Sequence, residues 1–173
     1  MRARFLAVIV AVLVPAGVAS AGGAGGVAFG AQYYDPGLSN GNHSFTYITG
    51  FGYGTSGVPS GRRFGGFGMA IIAADGTTAG GVGGMLLGHE FHSGPLVAGL
   101  TLSYGVGGIS YNDAGYLVLF GEGEFELGVT LPWMQLTAYA GFQAWGNLVP
   151  GFPLRNAVAY TPVLGVRMAW GSF

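Results

Sequence analysis

Glycine occurs 36 times in the 173 residues, and past residue 22 hardly any stretch of a dozen residues lacks one. Each glycine costs a helix about 1 kcal/mol relative to alanine, so helix is a poor solution for this chain. Half the residues are hydrophobic and 8% are charged, where a soluble domain carries about 25% charge. No segment past residue 22 offers 18 consecutive apolar residues, the length from which a spanning helix is read. The hydrocarbon core of a bilayer accepts only helices and closed barrels. So much apolar material without a spanning helix therefore predicts a membrane β-barrel. Aromatics spaced through the glycine-rich stretches, with few charges, count against a solvated disordered chain.

The amino-terminal end has the pattern of a secretory signal peptide. Arg2 and Arg4 form a basic start, Phe5 to Val14 is unbroken apolar sequence, and Ala19-Ser20-Ala21 supplies small residues for cleavage. Residues 1–21 are thus expected to be removed, leaving 22–173 as a single barrel domain. There is no cysteine, which excludes a lipidated cysteine, disulfides and thiolate metal ligation. Beyond residue 21 the cations are Arg62, Arg63, Arg155 and Arg167, against seven carboxylates. That acidic balance argues against nucleic acid as a partner.

Alternation of side chains picks out eight strands. They are Val27–Tyr34, His43–Tyr53, Arg63–Ala73, Thr78–Phe91, Leu96–Val106, Tyr116–Leu131, Met134–Trp145, and a last strand whose pairing is expected to start at Pro162. Asp75-Gly76, His92-Ser93-Gly94-Pro95 and Asn112-Asp113-Ala114-Gly115 read as turns between them. An even count puts both ends of the barrel on one side. Residues 35–42, 74–77, 107–115 and 146–157 then face outward from the cell, and 54–62, 92–95 and 131–133 become periplasmic turns. Two aromatic girdles are expected under this threading. Tyr33, Tyr34, Tyr104, Tyr116, Trp145 and Tyr160 would lie at the outer interface, and Tyr53, Trp133, Trp170 and Phe173 at the inner one.

The final residues, VLGVRMAWGSF, alternate most cleanly. Leu164, Val166, Met168 and Trp170 share one face, expected to meet lipid, and Gly165, Arg167, Ala169 and Gly171 share the other. In this strand, the strand pattern and the signal peptide, the chain resembles the small eight-stranded outer-membrane barrels of the OmpX and OmpA-transmembrane type. The resemblance is architectural. It implies an outer-membrane location in a diderm bacterium, outer-membrane lipids as surroundings, and a carboxyl-terminal signal at Trp170 and Phe173 read by the barrel-assembly machinery.

Glu122, Glu124 and Glu126 are the sharpest polar feature. They alternate with outward-facing apolar positions and are expected to point into the lumen with Arg167, Gln135, Tyr139 and Gln143. An eight-stranded barrel is just wide enough to be filled by side chains, so this set reads as a polar network plugging the interior. Conduction of protons or cations along it is the alternative. The HEFHS segment, His89 to Ser93, is not the helical zinc-protease motif HExxH. His92 and Ser93 are nevertheless the candidates for an outer-membrane lipid hydrolase, since a His–Ser pair with a nearby acid is the makings of a hydrolytic triad. The runs GGAGG, FGGFG and GGVGG lack the residues and context of phosphate loops. No metal and no cofactor are expected.

The expected function is therefore an outer-membrane barrel with a side-chain-filled lumen and a structural or surface-interaction role, with an extracellular ligand reached through the outer loops. The rivals are the hydrolase and a soluble secreted β-barrel that binds an apolar ligand. In that soluble form Leu164, Val166, Met168 and Trp170 would line an inner core while Arg167 met water.

Overall fold

A computed structural model describes residues 23–32, 45–55, 61–73, 78–111, 114–148 and 158–171. The expected signal segment, and Tyr33, Tyr34 and Phe173 among the expected aromatic positions, lie outside the described residues. The chain forms eight strands: β1 (Gly23–Gln32), β2 (Phe45–Thr55), β3 (Arg62–Ala73), β4 (Thr78–Ser93), β5 (Leu96–Tyr111), β6 (Ala114–Thr130), β7 (Gln135–Asn147) and β8 (Val158–Gly171). Each pairs antiparallel with the next, and β1 pairs with β8, so the sheet closes into a barrel with sequential strand order. Closure leaves no unpaired sheet edge. Both described ends of the chain, Gly23 and Gly171, lie at one rim, here called the terminal rim.

Several boundaries differ from the sequence expectation: β1 starts at Gly23 instead of Val27, β6 at Ala114 instead of Tyr116, and β7 runs on to Asn147. β5 runs on to Tyr111, and Tyr111 pairs with Ala114. The expected outer loop 107–115 is therefore mostly strand. Gly107 permits the extension: a Cβ there would run into the Gly81 carbonyl and the Val82 side chain on β4, so only glycine lets the two strands stay paired. β4 continues through His92 to Ser93, and the turn shrinks to Gly94-Pro95 between paired Ser93 and Leu96. Gly94 has φ of 59°, and glycine at the first central position is what a two-residue II′ hairpin turn takes. β8 begins at Val158, four residues before Pro162, because β7 pairs with it there.

Facing follows the period of two. On β5 to β8 the leucines point out, and the glutamates, glutamines and Arg167 point in, as the alternation predicts. β2 keeps the period of two but turns its bulky face inward. Its aromatic face, Tyr47, Phe51 and Tyr53, is buried in the interior, while Ile48 on the opposite face is exposed. On β3, Arg63, Phe67, Met69 and Ile71 point in and Phe64 and Ile72 point out. On β4, Val82, Leu86 and Glu90 point in, and Met85, Leu87 and Phe91 point out.

The aromatic girdles need correcting accordingly. Trp145 is 2% exposed and Tyr53 is 4% exposed, both inside the barrel, and Tyr116 packs against the interior cluster. These rings fill space that glycine-rich β1, β4 and β5 leave empty. Tyr104, Trp133, Tyr160 and Trp170 do lie on the outer face, exposed.

Candidate functional site: the ion-bridged barrel interior

The interior splits into two zones. Away from the terminal rim it is apolar: Ile71, Val82, Ile109 and Val118 pack with Phe67, Phe120 and Trp145. Phe67 meets Phe120 at 5.6 Å between ring centroids, and Phe120 meets Trp145 edge-on at 4.9 Å. Edge-to-face contacts of this kind suit the ring quadrupoles. Trp145 Nε1 has no hydrogen-bond partner among the described residues.

Toward the terminal rim the interior is charged, and Glu126 is its hub. This side chain on β6 is 0% exposed. Its Oε1 accepts from Arg63 Nη1 at 2.9 Å, from Arg167 Nη1 and from the Thr101 hydroxyl, and its Oε2 accepts from the Thr137 hydroxyl at 3.3 Å. Arg167 reaches with Nη2 to Glu124 as well. Arg63 reaches with Nη2 to Glu90 and to Gln135 Oε1 at 3.3 Å. Both guanidiniums also lie against rings: Arg63 over Tyr53 at 4.9 Å, Arg167 over Phe51 at 5.0 Å and over Tyr139 at 5.2 Å. Ring faces attract cations, and more strongly when water is excluded.

Glu122 stands one step further from the rim. It accepts from Gln143 Nε2 at 3.0 Å and from the Tyr47 hydroxyl at 3.3 Å, and Tyr47 in turn accepts from Tyr139 at 3.1 Å. Gln32 donates to the side-chain carbonyl of Gln143. The structure thus brings Glu122, Glu124, Glu126, Arg167, Gln135, Tyr139 and Gln143 into one connected interior network.

Sequence reasoning missed Arg63, Glu90, Tyr47, Tyr53, Thr101 and Gln32. A signal did exist for β3 and β4: Glu90 cannot face outward on a lipid-exposed wall, and its parity fixes that of His92, Leu86 and Val82. Arg62 and Arg63 obscured β3, because one of two adjacent arginines has to point outward.

The network is crowded enough to require glycine beside it. A Cβ on Gly30 would collide with the Tyr47 ring and the Tyr139 hydroxyl, and one on Gly165 with the Phe29 carbonyl and Tyr139. Facing strands β1 and β8 carry hydrogen atoms where the two tyrosines lie.

His92 and Ser93 are not brought together. They are consecutive residues of β4, so their side chains take opposite faces. His92 Nε2 contacts Glu90 Oε2 at 2.9 Å on the interior side, and Ser93 is exposed on the other. Nothing in this arrangement lets the imidazole take a proton from the serine hydroxyl, which nucleophilic catalysis needs within hydrogen-bond reach.

Leu164, Val166 and Trp170 are exposed on the outer face, with Met168 at the same parity, and Arg167 is buried inside. No group of three or more metal-binding side chains occurs among the described residues. No protein-family model matches the chain, and neither a curated protein nor a solved structure matches it.

Proposed function

We propose that this chain is an integral outer-membrane β-barrel of the small eight-stranded type, closed by its own side chains, with a structural or surface-contact role. One observation carries the reading: the polarity of the barrel is inverted relative to a soluble one. Large apolar side chains are exposed on the outer face of all eight strands, among them Phe29, Ile48, Phe64, Leu87, Leu102, Leu119, Phe142 and Val166. Four glutamates, two arginines and three glutamines are buried within. Monomers in water rarely expose apolar patches beyond a few hundred Å², whereas a hydrocarbon surround favours this arrangement. Strand lengths agree, since a tilted strand needs about 9–11 residues to cross and the shortest here, β1, has 10.

The interior supports a plug and not a channel. Ion bridges from β3, β4 and β8 converge on β6 and on one another, leaving the cross-section occupied by guanidinium and carboxylate groups. Surface contact is then left to the connections between strands at the rim opposite the termini, residues 33–44 and 149–157. The signal peptide and the assembly signal at Trp170 and Phe173 belong to the same proposal, as does delivery by the barrel-assembly machinery.

Heat-modifiable migration on SDS gels tests the reading. The chain extracted by detergent should run faster unboiled than boiled, and it should stay in the membrane pellet after a high-salt wash. Release by salt alone, followed by a monomer stable in detergent-free buffer, overturns it.

A further inference from the structure

We infer that the outer wall beside the terminal rim carries a docking site for an anionic phospholipid headgroup, built on Arg62 and His89. The inference rests on the membrane reading above and goes beyond it by naming a ligand class.

Arg62 opens β3 and projects outward, exposed, opposite in direction to Arg63. It is the one charged side chain on the outer face among the described residues; every described carboxylate side chain is in the interior. Its cross-strand partner in the register is His89 on β4, also outward. The His89 ring meets the Phe91 ring at a tilt, with centroids 4.4 Å apart.

An arginine on a lipid-facing wall costs about 2–4 kcal/mol at the bilayer midplane and little near the interface. Arg62 sits at the interface end of its strand, with Phe64 and Leu87 as the next outward pair toward the belt. Phe64 and Phe91 are 58% and 59% exposed. A phosphate held at Arg62 and His89 would thus have its acyl chains beside exposed apolar rings.

No side chain of the outer wall supplies the counter-charge. The sequences joining strands at this rim, SGVPSG, GP and LPWM, contain no acidic residue. Asp35, Asp75 and Asp113 all fall in the connections of the opposite rim. Arginine matches phosphate oxygens with paired N–H donors, and histidine offers one ring N–H even when neutral. Net negative lipid is favoured over zwitterionic lipid because no acidic side chain on this stretch of wall repels it.

The test uses the barrel purified from membranes and exchanged into mixed micelles with equal phosphatidylglycerol and phosphatidylcholine. Bound lipid is counted by native mass spectrometry, with heat-modifiable migration as the folding check. One interfacial arginine corresponds to about a fivefold preference. Phosphatidylglycerol should be retained over phosphatidylcholine by that factor, the preference should vanish in Arg62→Gln, weaken in His89→Ala and persist in Arg62→Lys. A folded, heat-modifiable parent with no preference, or an Arg62→Gln variant that keeps it, overturns this inference alone. A chain that salt releases from the membrane overturns both this inference and the proposed function.

Discussion

Arg63 and Arg167 donate to the same carboxylate oxygen, Oε1 of Glu126, although β3 and β8 stand three places apart round the barrel. One buried carboxylate therefore ties three separated parts of the wall across the interior. Taking charges out of water is expensive, and a buried pair breaks even only when its geometry and remaining hydrogen bonds are good. Here Thr101 and Thr137 supply those further bonds.

Glu126→Gln should consequently be the most damaging of the three glutamate substitutions. It leaves two guanidiniums sharing a neutral amide, and breaking a buried pair costs about 3–5 kcal/mol. Glu122→Gln removes a group held by Gln143 and Tyr47, with no ion pair to a guanidinium among the described residues, and should cost about 1 kcal/mol. Urea midpoints of the heat-modifiable band in lipid vesicles measure both. Equal midpoints for the two variants would contradict the role of Glu126 as hub.

Gly30→Ala and Gly165→Ala should each destabilise by about 1–3 kcal/mol, the usual cost of overpacking. Their rescue should differ. The atoms nearest a Cβ on Gly30 belong to the Tyr47 and Tyr139 side chains, whereas the nearest at Gly165 is the Phe29 carbonyl. Adding Tyr47→Leu should therefore restore much of the Gly30→Ala loss and none of the Gly165→Ala loss. Gly121→Ala, where a Cβ meets nothing within 4 Å, serves as the control and should stay within about 0.5 kcal/mol of the parent.

Planar bilayers address the interior directly. With Arg63, Glu90, Glu124, Glu126 and Arg167 bridged across the cross-section, the parent barrel should show no single-channel steps in molar salt. Reproducible ohmic steps from heat-modifiable material would mean that the bridges do not seal it.

The barrel was legible because alternation and the lack of a spanning helix both pointed to it. The interior was legible on β6, β7 and β8, where glutamates, glutamines and Arg167 each oppose aliphatic residues. β2 was not, because its bulky face, Tyr47, Phe51 and Tyr53, serves the interior. Size and hydrophobicity say that a residue wants burial, and in a narrow barrel both lipid and a glycine-lined interior provide it. Strands β3 and β4 were ambiguous for a related reason. Glycines on both faces erase the contrast in Phe64 against Phe67 and Leu86 against Leu87, so the apolar pattern left the facing open and only the charge on Glu90 carried a signal.

The three tryptophans give the decisive measurement of facing, since they divide between the two surfaces. Trp170 lies on the outer face of β8 near the terminal rim and Trp133 in the β6–β7 turn at the same rim, 42% and 65% exposed, while Trp145 is enclosed against Phe120. Single-tryptophan variants, made by replacing the other two with phenylalanine, are reconstituted in vesicles of brominated lipid. Bromines attached shallowly along the acyl chain should quench Trp170 and Trp133 strongly and Trp145 little, because quenching needs near contact and β7 stands between Trp145 and the lipid. Aqueous iodide should reach Trp145 no better, because its ring is buried against Phe120. A soluble barrel predicts quenching of none by lipid. An inverted facing predicts that Trp145 is the residue lipid reaches and Trp170 the one it does not, and that reversal would overturn the facing of β7 and β8, whereas quenching of none would remove the physical basis for placing this barrel in a membrane.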